Sequence, residues 1–149
     1  MPRYFEDLAE GDFFESPHAI EMTHDDIVAF ASEYDPQLFH IDDEAGRRSP
    51  VGALSASAFH TLCIGHKLAH ESGVFDFLPV IGLGISEFDI PRPVVAGDRL
   101  RTRVTVRHKR ESSSKPTQGV VKLHVEVFNQ DGYLSLQYVV SELVYKRPL

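Results

Sequence analysis

The sequence has one cysteine and no long apolar run, and both shortages limit what the protein can be. Cys63 is alone among 149 residues, so the chain forms no internal disulfide. No apolar run reaches the ~20 residues that would cross a bilayer as a helix. The N-terminal residues reach acidic side chains within the first seven positions, too early for a secretory signal peptide. We therefore expect a cytoplasmic protein that does not interact with membranes.

Positive charge is also scarce. The chain carries 15 Lys and Arg residues against 22 Asp and Glu residues, a net charge of -7. This is the wrong sign for a protein that binds nucleic acid by neutralising phosphates. The hydrophobic content of 42% and the charged content of 25% are those of an ordinary globular protein. The length predicts a single domain that spans residues 1–149.

Two helices are predicted in the first half of the chain. Thr23 with Asp26 three residues later resembles a capping box, and Pro36 disfavours helical geometry at Asp35, so a first helix should run from Thr23 to Asp35. A second should begin at Gly52, because neither charge nor proline occurs between Gly52 and His66, about four helical turns. A helix that is apolar on most faces must be buried, and Cys63 on it should be an inert buried thiol.

The pattern of side chains in the second half of the chain predicts strands. Residues 80–90 form one apolar candidate, and residues 100–107 alternate between apolar and polar side chains, as a half-buried strand does. Residues 121–127 repeat that alternation, and Asn129 to Gly132 form a hairpin turn into a last strand over residues 133–145. Helices followed by an antiparallel sheet predict an α+β fold in which a curved sheet wraps around the apolar helix.

Two groups of residues in the first half of the chain could take part in catalysis. Asp35 and His40 lie five residues apart, and a carboxylate near an imidazole can hold one water between them for general acid–base catalysis. The alternative is structural, with Asp35 forming a turn and His40 bonded within a loop. Gly52, at the predicted helix start, could offer an unpaired backbone N–H to an oxyanion, or it could simply permit close packing.

These residues, in this order, resemble the MaoC-like acyl dehydratases, which include the (R)-specific enoyl-CoA hydratases and have the hotdog fold. The family motif Asp-x-Asn-Pro-(Leu or Ile)-His-x-Asp is matched by Asp35, His40 and Asp42, while Gln37-Leu38 replaces Asn-Pro. The second motif, Ala-His-Gly-Met, is matched by Pro50 to Ala53, with Val51 in place of its histidine. His60 stands where the family usually has a serine.

The resemblance implies a hydro-lyase that adds water reversibly to a 2-enoyl thioester. We hypothesise that Asp35 takes the proton from water and that His40 shares this water and protonates the α carbon. Gly52 would bind the enolate oxygen through its N–H. His60 could line the substrate pocket or be a core histidine bonded to the backbone. The resemblance also implies a homodimer that takes a coenzyme A or acyl-carrier thioester as substrate, with no cofactor and no metal.

The sequence also allows other interpretations of its function. His66 and His70 could share a metal ion but fit a solvated helix face better, because no third ligand is evident from the spacing. A hotdog thioesterase would need a carboxylate on the central helix, and none occurs between Gly52 and Ala69. The altered second motif also allows a non-catalytic acyl-binding subunit of a hotdog heterodimer. The candidate cations for the phosphates of coenzyme A are four arginines: Arg47, Arg48, Arg92 and Arg99.

Overall fold

The computed structural model describes residues 2–76 and 79–149, without the side chains of residues 79 and 80. After a 3-10 turn at Phe5–Asp7, the elements are strands β1 (Phe13–Glu15) and β2 (Ile20–Glu21), helices α1 (His24–Tyr34), α2 (Leu38–Ile41), α3 (Asp43–Arg48) and α4 (Ala58–Glu71), and strands β3 (Pro79–Asp89), β4 (Arg99–Glu111), β5 (Gln118–Phe128) and β6 (Leu134–Tyr145). The predicted strands and the hairpin turn are confirmed.

The strands form one antiparallel sheet in the order β1-β4-β5-β6-β3, with β2 paired to β4. Strand β4 buries Leu100, Thr102, Val104 and Val106 and exposes most of the residues between them, as the alternation predicts. Helix α4 packs on this buried face of β4, β5 and β6. The architecture is therefore α+β with the sheet around one central helix, which is the hotdog fold.

Helix α1 begins and ends where its local signals predict. The side chain of Thr23 accepts a hydrogen bond from the Asp26 N–H at 3.2 Å and so caps the helix. Asp35, which precedes Pro36, is the C-cap and leaves helical geometry. His40, however, lies within the short helix α2 rather than in an irregular loop, because helical backbone resumes at Leu38, two residues beyond the proline.

The prediction that the central helix begins at Gly52 is wrong, because α4 begins six residues later at Ala58. Gly52 ends a turn with a φ of 76°, a left-handed geometry that glycine tolerates well. Residues 55 and 56 are extended: Ser55 forms a β-bridge with Val95, and the Ala56 N–H donates to the Val94 carbonyl at 2.8 Å. Small apolar residues thus form a buried extended segment here.

The prediction that the central helix is buried on most faces is wrong for one side of α4, which is exposed. Its inner face is buried against the sheet, but Phe59 is 59% exposed, and Cys63 and Lys67 are exposed one and two turns further along. Cys63 is therefore not the buried thiol that its apolar neighbours predict. Among the described residues, no helix is both long and apolar enough to span a membrane.

Candidate active site

Asp35 and His40 line the same cavity of about 430 Å³. Asp35 enters from the C-terminal end of α1, His40 from α2, and Ala58 from the start of α4. Most of the remaining wall is apolar and includes Phe88, Ile90 and Val94. The cavity therefore has two titratable side chains at one end and apolar walls around them, which is the usual form of a small-molecule site.

Both carboxylate oxygens of Asp35 accept hydrogen bonds from neutral donors. The Gln37 side-chain amide donates to Oδ1 at 2.9 Å, and the Ser57 hydroxyl donates to Oδ2 at 2.7 Å. These two bonds, with a smaller contribution from His40, hold the pKa of Asp35 below its ordinary value, although burial acts in the opposite direction. Asp35 is consequently a carboxylate at neutral pH and a weak base.

The backbone fixes the tautomer of His40. Its Nδ1 lies 2.6 Å from the Ser55 carbonyl oxygen, and because a carbonyl can only accept, Nδ1 carries the proton. In the neutral ring, Nε2 then presents a lone pair. This atom lies 3.6 Å from Asp35 Oδ2, longer than a hydrogen bond. A water molecule placed beside the pair could bond to both atoms at once.

Gly52 does not belong to this cavity. Its N–H donates to the Ser49 carbonyl at 3.0 Å, and it lines a separate hollow with His24 and Arg47. An N–H that is already bonded within a turn is not available to an oxyanion. The assignment of Gly52 as the oxyanion donor therefore has no geometric basis, because the helix does not begin where the motif match placed it.

The start of α4 at Ala58, rather than Gly52, lies at this cavity. The first N–H groups of a helix lack partners within it. Within the part of the chain that the structure describes, the Phe59 N–H donates to the Ser57 hydroxyl at 3.3 Å, and the Ala58 N–H has no acceptor. Sequence reasoning missed Ser57 and Ala58, although a serine directly before an apolar run is a recognised signal for a helix start.

His60 lies outside the residues that line this cavity. It is 6% exposed, and its ring stacks on Phe30 with a centroid separation of 4.6 Å. Its Nδ1 is buried without a hydrogen-bond partner among the described residues, so for this atom the expected bond to the backbone is not formed. Burial lowers the pKa of His60, which keeps the ring neutral.

His66 and His70 do not form the simple solvated face that their spacing favours. His66 is partly buried, and its Nδ1 lies 2.9 Å from the hydroxyl of the fully buried Tyr138. His70 is exposed, packs edge-on against His66 and contacts Phe75. Burial, with a smaller contribution from His70, lowers the pKa of His66. His66 is thus part of the packing between α4 and β6.

The fold and the cavity together are those of a hydratase or dehydratase of the hotdog class. The sequence profile of the family described as MaoC like domain matches residues 8–128. The chain belongs to this family, which confirms the resemblance on which the sequence analysis relied.

Known proteins resemble this chain in sequence or in fold. The chain is 30% identical over 112 residues to the uncharacterized protein YdeM of Bacillus subtilis, covering 75% of this chain and 78% of YdeM. It is 38% identical to a MaoC-like dehydratase from Rhodospirillum rubrum, with a TM-score of 0.90 and coverage of 99% of both chains. The R-hydratase PhaJ1 of Pseudomonas aeruginosa shares the fold at 20% identity, with a TM-score of 0.75 and coverage of 98% of this chain and 88% of that one.

Proposed function

We propose that this protein catalyses the reversible addition of water to a 2-enoyl thioester carried by coenzyme A or a related carrier. The observation that carries the proposal is the convergence of Asp35, His40 and the start of α4 on one cavity with apolar walls. The reaction needs no redox cofactor, because hydration moves a proton and a hydroxyl group without net oxidation or reduction.

The geometry favours His40 rather than Asp35 as the group that moves the proton. The two bonds that Asp35 accepts make it a weak base, whereas the Nε2 atom of His40, 3.6 Å from Asp35 Oδ2, has a free lone pair in the neutral ring. In this scheme Asp35 orients the water, and His40 removes one of its protons as the oxygen bonds to the β carbon. His40 then delivers that proton to the α carbon. This scheme moves the removal of the water proton from Asp35, where the sequence analysis placed it, to His40, which keeps the protonation of the α carbon.

Negative charge develops on the thioester oxygen as the β carbon is attacked. A donor aimed at that oxygen stabilises the transition state more than the ground state, and removal of one such donor typically costs ~2.7–4 kcal/mol. The Ala58 N–H is the donor we assign to this role, supported by its place in the cavity and at the positive end of α4.

The test is hydration of a short enoyl-CoA by the parent protein and by the Asp35→Asn variant. The variant should lose about 100-fold in kcat, the cost of a misplaced reactant, because the amide of asparagine can turn an N–H donor towards the water where the carboxylate offers only acceptors. Asp42→Asn is the matched control, because Asp42 caps α3 through the Ala45 N–H and asparagine caps a helix equally well. An Asp35→Asn protein as fast as the parent would contradict the mechanism.

The same assay separates the alternatives. Loss of the enoyl chromophore supports hydration, whereas release of free thiol from a saturated acyl-CoA would support a thioesterase. Binding without either reaction would support a non-catalytic acyl-binding subunit. The described part of α4 carries one carboxylate, Glu71, and it lies at the far end of the helix, 3.1 Å from His18. This placement gives no support to a thioesterase.

We also propose that two copies of this chain pair along β3. This strand is at the edge of the sheet, and Ile81, Leu83 and Ile85 on it are each more than half exposed. An apolar edge of this length is a template for pairing with another chain. Phe88 belongs to the same strand and lines the cavity, so a partner would lie beside the site. Sedimentation at micromolar concentration should show a dimer, and a monomer would contradict the proposal.

A further inference from the structure

An acidic protein that binds a phosphorylated carrier must supply cations near the mouth of its site. Two of the four candidates from the sequence are already engaged. Arg47 and Arg48 both form ion pairs with Glu44, at 2.6 and 2.9 Å. Arg92 and Arg99 have no carboxylate within 4.0 Å among the residues that the structure describes.

Arg92 is held in place by an aromatic ring. Its guanidinium carbon lies 4.2 Å from the centroid of the Tyr133 ring, a cation–π contact. Stacking uses the face of the guanidinium and leaves the N–H donors at its edge free, and these donors match the geometry of a phosphate. Tyr133 thus orients the arginine without neutralising it.

Arg92 also has the right position. It lines a hollow of about 370 Å³ that shares Val51 and Pro93 with the catalytic cavity. Along the chain it lies between Ile90 and Pro93, both of which line the catalytic cavity. Arg99 lines neither hollow. Among the four candidates, Arg92 is therefore the one that lines a hollow directly next to the catalytic cavity.

Two carboxylates share this outer hollow with Arg92. One is Asp98, whose two carboxylate oxygens accept hydrogen bonds from the Val95 N–H and the Gln130 side-chain amide and so stabilise the local loops. Asp131 is exposed and carries the opposite charge to Arg92 at the same hollow. The two residues should therefore act on a bound anion in opposite directions.

We propose that Arg92 binds the phosphate of the 4′-phosphopantetheine arm, a group common to coenzyme A and acyl carrier protein. The inference rests on the proposed function, because the arm would bring the enoyl thioester from this phosphate to Asp35 and His40. Arg92 is then a substrate-binding residue that acts on carrier affinity and takes no part in proton transfer.

The test measures binding rather than turnover. Calorimetric titration of the parent protein and of Arg92→Ala uses coenzyme A, 4′-phosphopantetheine and pantetheine. The variant should bind the two phosphorylated ligands about tenfold more weakly, equivalent to ~1.4 kcal/mol, and should bind pantetheine like the parent. Arg103→Ala is the matched control, because Arg103 also stacks on a ring, Phe13, at 4.2 Å. This control should bind all three ligands normally.

Several results would overturn the assignment. One is coenzyme A affinity in Arg92→Ala within twofold of the parent, and another is an equal loss in Arg103→Ala. A loss confined to coenzyme A would place the contact on its nucleotide and refute a shared phosphate site. Asp131→Asn should bind coenzyme A more tightly, and weaker binding would contradict an anion site.

Kinetic measurements identify the carrier and keep the two proposals apart. Arg92→Ala should raise KM for both enoyl-CoA and enoyl-acyl carrier protein with kcat unchanged, and the carrier with the higher kcat/KM in the parent is the preferred one. A protein that binds coenzyme A through Arg92 but hydrates no enoyl thioester would refute the proposed function alone. Hydration that is unaffected by Arg92→Ala would refute the phosphate contact alone.

Discussion

Ser57 connects the Asp35 carboxylate to the central helix, and the effect of removing its hydroxyl can be worked out from the structure. Its hydroxyl donates to Asp35 Oδ2 at 2.7 Å and accepts weakly from the Phe59 N–H at 3.3 Å. The residue is fully buried. In Ser57→Ala both bonds disappear. Among the described residues, Asp35 then keeps one side-chain hydrogen bond, from the Gln37 amide to Oδ1.

The magnitude follows from the two bonds. A hydrogen bond to a charged group contributes about 1.5–3 kcal/mol, and a serine cap contributes about 1 kcal/mol. Because the two share one hydroxyl and are not additive, Ser57→Ala should lower the free energy of unfolding by about 2–3 kcal/mol at pH 7.

The loss should depend on pH in a defined direction. The pKa of Asp35 in the folded protein is lowered from an unfolded value of about 3.9, so its stabilising contribution is complete above that value. The contribution is lost as the pH falls through the lower, folded pKa. The difference between parent and variant should therefore shrink towards the ~1 kcal/mol of the cap as the pH falls below about 4.

Urea denaturation at pH 7 and at acidic pH measures this difference. Ser72→Ala is the control, because Ser72 occupies the other end of α4 and its hydroxyl bonds the neutral Ala69 carbonyl and Val74 N–H. Its effect should not vary with pH. A Ser57→Ala effect that is equally independent of pH would refute the idea that the hydroxyl stabilises an ionised Asp35.

Two further predictions concern packing and protonation. Gly46→Ala should lower the free energy of unfolding, measured in urea titrations, by about 3 kcal/mol, because the new Cβ would lie 2.6 Å from the backbone of Leu54. Ala45→Gly in the same helix is the control, with an expected loss of ~1 kcal/mol. A Gly46→Ala loss no larger than that of the control would contradict this contact. The lowered pKa of His60 means that the unfolded chain binds a proton more readily, so the parent loses stability as the pH falls through about 6.5. His60→Leu should lose less between pH 7 and pH 5, and an unchanged slope in that range would show that His60 is not the source.

Local signals predicted α1 well and α4 poorly, and the difference has a physical cause. The start of α1 at Thr23 and its end before Pro36 depend on groups within a few residues, which the sequence displays directly. The start of α4 depends on the backbone bond from Ala56 to Val94, a partner 38 positions away. Small apolar residues suit either a helix or an extended segment, and this distant partner selects the second.

The same distinction applies to the site. Asp35 and His40 were identified from a contiguous motif, and the structure places both on one cavity. Ser57 was missed because its hydrogen bond to Asp35 exists only once the chain has folded back on itself, and Ala58 was missed because the start of the central helix was predicted at Gly52. Gly52 was chosen because it is a glycine near the expected helix start, yet its conformation serves a turn.

The extended segment before α4 affects the free energy of local unfolding at the site, because it links the site to the rest of the molecule. All the groups of the proposed mechanism lie within residues 35–58, and Ser55 and Ala56 join this stretch to residues 94 and 95 through one isolated bridge and one 2.8 Å bond. The long strands, in contrast, are joined by continuous ladders. Local unfolding of this stretch should need less free energy than melting of the sheet. On gentle heating we therefore expect amide protons of residues 35–58 to exchange, and activity to disappear, while the circular dichroism of the sheet is still intact.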